Sequence, residues 1–84
     1  VSLFRVELRP GARTALLGLD KPARRRIQRA IDELADSPRP AGAVPLSEPE
    51  VFRIKVGEHR IVYKAGPLRV TILVIAEGPK TAGE

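Results

Sequence analysis

The stretch Phe52-Arg53-Ile54-Lys55-Val56-Gly57-Glu58-His59-Arg60-Ile61-Val62-Tyr63 constrains the fold more than any other part of this chain. Apolar and charged residues alternate on both sides of Gly57-Glu58, the pattern of two half-buried strands joined by a two-residue turn. That turn pairs Val56 with His59, Lys55 with Arg60, Ile54 with Ile61, Arg53 with Val62 and Phe52 with Tyr63. Directly paired residues share a sheet face. One face then carries Phe52, Ile54, Val56, Ile61 and Tyr63, which is a core. The other carries Arg53, Lys55, Arg60 and Lys64. A slip of one residue would set Lys55 beside Ile61 and mix the faces, so the polarity selects this register.

The rest of the chain reads outward from this hairpin. Leu3 to Leu8 alternates, with Phe4, Val6 and Leu8 on one face, and is a first strand ended by Pro10 and Gly11. Ala12, Ala15, Leu16 and Leu19 recur at helical spacing and predict a short helix. Asp20 is the expected N-cap of a second helix, with Pro22 tolerated in its first turn. Ala23, Ile27, Ala30, Ile31 and Leu34 give that helix one apolar stripe. Its charges oppose the helix dipole: Arg24, Arg25, Arg26 and Arg29 lie towards the start, and Asp32, Glu33 and Asp36 towards the end. Arg29 has Glu33 within reach one turn on. Ser37 to Gly42 is a breaker cluster. Gly66-Pro67 is the expected turn after the second hairpin strand, which sets Lys64 opposite Arg69 and Val62 opposite Thr71. Leu68 to Ala76 is apolar on both faces, as a doubly covered central strand would be. The order β-α-α-β-β-β predicts one α+β domain over residues 1–84, an antiparallel sheet with two helices packed on one face.

Composition removes whole classes of function. With no Cys and a single His, neither a disulfide frame, a thiolate site nor a His-based metal site is expected. Ser37, Ser47 and Thr71 lack the His–carboxylate partners of a hydrolase, and no Gly-rich phosphate loop occurs. No apolar run approaches the roughly 20 residues of a membrane helix. No charged-then-apolar start reads as a signal peptide, and a cytoplasmic protein without cofactor or membrane is expected. The net charge of +5 points to a polyanionic or acidic partner.

The charge is concentrated where folding alone would not put it. Like charges directly opposite each other destabilise a sheet, yet Lys55 faces Arg60 with no carboxylate between them. Arg69 extends the same face. Two readings follow: a solvated face in an Arg-rich protein, or an anion site for phosphate. Arg offers forked donors that fit phosphate oxygens. Lys can serve there as a point charge or as a base.

Leu34-Ala35-Asp36-Ser37-Pro38-Arg39-Pro40-Ala41-Gly42, followed by Phe52 to Tyr63, resembles the RelE/ParE toxin superfamily, whose pattern there is a helix, a Pro-containing loop and then "yRiRvGdyRivY". The resemblance runs over nearly the whole chain and includes the order of elements. It implies the toxin of a type II toxin–antitoxin system. The RelE branch cuts mRNA in the ribosomal A site; the ParE branch keeps the fold and poisons DNA gyrase. On the RelE pattern the catalytic positions fall on Lys55, Arg60 and Arg53, with Lys80 near a further Arg position. Lys55 would be general base for attack by the ribose 2′-hydroxyl. Arg60 and Arg53 would hold the phosphate, and Lys80 would position it or protonate the leaving oxygen. Lys64, Arg69, His59, Arg24 and Arg25 are the expected further RNA contacts. The implied partners are the ribosome with its mRNA and a cognate, acidic RelB/PhD-like antitoxin in a hetero-oligomer. The departure from the RelE pattern is the C-terminus, Glu77 to Glu84, which lacks a functional Tyr.

Overall fold

A computed structural model of the chain describes residues 4–77. The elements are β1 (Arg5–Leu8), α1 (Pro10–Leu17), α2 (Lys21–Asp36), β2 (Val44–Pro45), β3 (Val51–Val56), β4 (His59–Gly66) and β5 (Arg69–Glu77). They form one five-stranded sheet in the order β1-β5-β4-β3-β2, with α1 and α2 on one face. The architecture is α+β, as the pattern predicts. The sheet is mixed rather than wholly antiparallel, because β1 runs parallel to β5, its neighbour.

Local chemistry accounts for the helix ends. Pro10 does more than end β1: it occupies the first turn of α1, where its missing N–H costs nothing. The Asp20 side chain accepts the Ala23 N–H at 2.9 Å and caps α2. At the other end the Ser37 N–H donates to Glu33 O at 2.9 Å. The stripe of α2 buries Ile27, Ile31 and Leu34 against Ile54, Ile61, Tyr63, Val70, Ile72 and Ile75, with Ala12 and Leu16 of α1 completing the core.

Tyr63 is fully buried, and its hydroxyl donates to Pro38 O at 2.6 Å. A buried phenol needs such a partner. Here the partner ties the loop after α2 to the sheet. Phe52 stacks on Tyr63 with ring centroids 5.8 Å apart, and the Arg39 guanidinium lies 5.3 Å above the Phe52 ring. Burial raises the Tyr63 pKa, and Arg39 partly offsets it.

The first hairpin has the predicted register throughout, from Val56↔His59 to Phe52↔Tyr63. The second does not. Gly66 pairs with Arg69, so Lys64 faces Thr71 rather than Arg69, and Val62 faces Val74 rather than Thr71. Proline drives the residue before it into extended backbone, which keeps Gly66 in β4. The turn therefore falls on Pro67 and Leu68, and Leu68 takes a φ of 73°. A register shift between Val62 and Tyr63 then absorbs Leu73 as a bulge. Although β5 is apolar on both faces, it is not doubly covered as expected: Val74, on the face away from α1 and α2, is 43% exposed.

Candidate active site on the uncovered sheet face

Strand alternation sends one set of side chains away from the helices. On β3 these include Arg53 and Lys55; on β4, Arg60, Val62 and Lys64; on β5, Arg69, Thr71 and Val74. Lys55 lies directly opposite Arg60. Cross-strand neighbours have Cβ atoms roughly 4.5–5.5 Å apart, so two cations share one patch. Lys55 and Lys64 are exposed, and Arg53 and Arg60 are half-buried. The sheet thus fixes Arg53, Lys55 and Arg60 on one face, the arrangement required of the sequence-predicted set.

The other predicted residues are distributed less evenly. Lys64 and Arg69 share the face but lie further along it, near the β4–β5 turn. His59 pairs with Val56 on the helix side of the sheet, so it does not join Lys55 and Arg60. Its Nδ1 is buried without a hydrogen-bond partner. Arg24 and Arg25 stand on α2, behind the sheet, and the fold does not bring them to this face. Lys80 lies outside the described residues.

Two other arginines do reach the site. Arg26 and Arg29 line an open groove of about 680 Å³ between α2 and the β3 edge, together with Arg53 and Lys55. The groove exists because β2 is only two residues long and leaves the end of β3 unpaired. Glu33 is the carboxylate in its lining. Arg29 and Glu33 both line the groove, but among the described residues no ion pair joins them, contrary to the spacing argument; Gln28 instead donates to Asp32 Oδ1 at 3.1 Å. Gly57 has a φ of 62°, and a Cβ there would meet Arg26 Nη1 at 3.0 Å, so a glycine suits both the turn and the packing of Arg26. The signal for Arg26 and Arg29 was their three-residue spacing, which puts both on the helix flank beside Ala30.

Arg53 Nε is buried and has no hydrogen-bond partner. A buried donor left in this state is uncommon and costly. With Lys55 and Arg60 it makes a set of donors facing one way with no acceptor among them. Chemically such a set neutralises an anion, and a phosphate fits the forked geometry of arginine.

No protein-family model matches the sequence, and no curated protein matches it. Solved structures do. The isolated E. coli RelE toxin superposes with a TM-score of 0.84 at 17% identity, over 95% of this chain and 89% of that one. RelE in the archaeal RelE–RelB complex from Pyrococcus horikoshii OT3 also gives 0.84, at 22% identity over 94% and 99%. A YoeB/ParE toxin from Agrobacterium tumefaciens gives 0.74, at 16% identity over 90% and 100%. The chain therefore has the fold of the RelE/ParE toxins.

Proposed function

We propose that this protein is the toxin of a type II toxin–antitoxin pair and that it cuts mRNA in the ribosomal A site. The observation that carries this reading is the Lys55–Arg60 cross-strand pair, with Arg53 beside it, on the sheet face turned away from α1 and α2. Lys55 takes the proton of the ribose 2′-hydroxyl. The 2′-oxygen attacks the adjacent phosphorus, the bond to the 5′-oxygen breaks, and a 2′,3′-cyclic phosphate and a 5′-hydroxyl result. Arg60 and Arg53 bind the non-bridging oxygens and stabilise the extra negative charge of the transition state. The nucleophile is already attached beside the phosphate, so orientation supplies much of the rate. Lys80 is assigned to phosphate positioning or to protonation of the leaving oxygen.

The partner that restrains such a toxin is an acidic antitoxin, partly disordered until bound. Its carboxylates neutralise the cation face, and the complex weakens as salt rises. The structural likeness extends to RelE and to ParE toxins alike, and the nuclease branch is supported by the cation set on the sheet. One observation favours a second reading, a gyrase poison: the single tyrosine, Tyr63, is fully buried under the helices and leaves no phenol for the cation face. Expression in cells followed by mapping of mRNA ends separates the two. The proposal predicts translation-dependent ends bearing 5′-hydroxyls, lost in Lys55→Ala. Intact mRNA together with inhibited supercoiling by gyrase would transfer the assignment to the second reading.

A further inference from the structure

The uncovered face holds a second cationic cavity that the cleavage site does not use. It measures about 580 Å³ and lies between Arg5, Lys64 and Arg69, with Gly66 and Leu68 also in its lining. Arg5 and Arg69 are direct partners in the parallel β1–β5 register, so two guanidinium groups emerge side by side. Like-charged partners cost a sheet stability. Among the described residues the ion pair here is Arg69 Nη1 to Glu7 Oε1, at 3.8 Å between groups that are more than half exposed. Such a pair offsets little.

Two details keep the cavity open. Gly66 lies opposite Arg69, and a Cβ there would meet only the Arg69 carbonyl oxygen, at 3.7 Å. A larger residue would fit the backbone and fill the cavity floor. Leu68 stands at its rim, 69% exposed and at a φ of 73°. Bulky residues rarely adopt that conformation. The result is three cations beside an apolar edge.

Lys64 is four residues beyond Arg60 on β4, which sets the two cationic groups about 13 Å apart. Val62 and the exposed Val74 pair between them on the same face. We propose that the Arg5–Lys64–Arg69 cavity is a second phosphate anchor, and that single-stranded RNA runs along β4 from this anchor to Lys55 and Arg60. The separation corresponds to about four nucleotides if the strand keeps the ~3.4 Å rise of a base-stacked duplex strand, and to fewer if it is extended. Sugars and bases cross Val62 and Val74, and one base rests on Leu68. This inference takes the Lys55–Arg60 face as the cleavage site. The alignment of both groups on one strand, with apolar side chains between them, favours a nucleic acid over an acidic peptide.

The test uses fluorescein-labelled 2′-O-methyl oligouridylates of two and six nucleotides, which the 2′-hydroxyl chemistry cannot cut. Binding to the full chain is followed by anisotropy between 50 and 200 mM salt. The hexamer should bind several-fold tighter than the dimer, with a salt slope steeper by about 0.7 for each added phosphate contact. The triple variant Arg5→Gln, Lys64→Gln, Arg69→Gln should lose that gain. So should Gly66→Val, which fills the cavity and keeps every charge; circular dichroism verifies that both are folded. A gain that persists in both variants, or a wild type without one, overturns the anchor. So does a decaglutamate peptide that binds the cavity while the hexamer does not. Arg60→Gln reports on the cleavage site separately: normal dimer binding there sinks the nuclease reading, even if the hexamer gain still depends on Lys64.

Discussion

The two faces of the sheet follow different rules. On the helix side, Ile54, Ile61, Tyr63 and Ile72 are buried among apolar neighbours, and the single phenol has its acceptor. On the open side, Lys55 faces Arg60 and Arg5 faces Arg69. Burial on the first face stabilises the fold. Repulsion on the second opposes it. A surface shaped by folding alone would interleave carboxylates, so the like-charged pairs point to a ligand that supplies the negative charge.

The contrast can be broken most forcefully from the core. Ile61→Ala or Ile27→Ala should each lose about 2–5 kcal/mol in denaturant unfolding, because both side chains are fully buried. A loss under ~1 kcal/mol would mean that the helix side is less well packed than described. On the open face the effect should move from stability to chemistry. Arg60→Ala should lose about 2.7–4 kcal/mol of transition-state stabilisation, seen as a roughly 10²–10³-fold slower cleavage on translating ribosomes. Its unfolding free energy should stay within about 0.5 kcal/mol of wild type.

Two smaller effects sharpen the boundary between the faces. Tyr63→Phe removes the bond to Pro38 and should cost about 1 kcal/mol. The Tyr63 pKa is raised by burial, so the folded state holds this proton more tightly than the unfolded chain. That contribution is complete below the ordinary tyrosine value and is lost as pH rises from there through the folded value. Wild type should therefore lose stability in alkaline solution, and Tyr63→Phe should lose less. Leu68→Gly relieves the left-handed backbone and should add about 1 kcal/mol in the same unfolding assay.

Legibility differed between the hairpins. The β3–β4 register could be read because each strand alternates strictly and the Gly57-Glu58 turn fixes the pairing. The β4–β5 register could not, because Gly66-Pro67 and Pro67-Leu68 are both credible turns and β5 is apolar on both faces. The bulge at Leu73 leaves no mark in a run of aliphatic residues. Lys55, Arg60 and Arg53 could be read as one cluster because alternation assigns their face. Arg26 and Arg29 were visible only as charges on a helix, since their approach to Arg53 depends on how α2 crosses the β3 edge. The same register already set His59 on the face of Val56, so its expected RNA contact rested on its neighbour Arg60 and not on alternation. The two-residue β2 sits in a Pro- and Gly-rich stretch with no strand pattern.

Lys55→Glu tests the separation of the two faces most directly. The substitution places a carboxylate opposite Arg60, which should leave the melting temperature unchanged or raise it, by the equivalent of about 0.2–1 kcal/mol. The same substitution removes the proposed base and would repel a phosphate, so mRNA cleavage in cells should disappear. Melting temperature and mapped mRNA ends are measured on the one variant. A stable, inactive protein is the predicted result; a Lys55→Glu protein that melts lower, or that still cuts mRNA, would contradict the account.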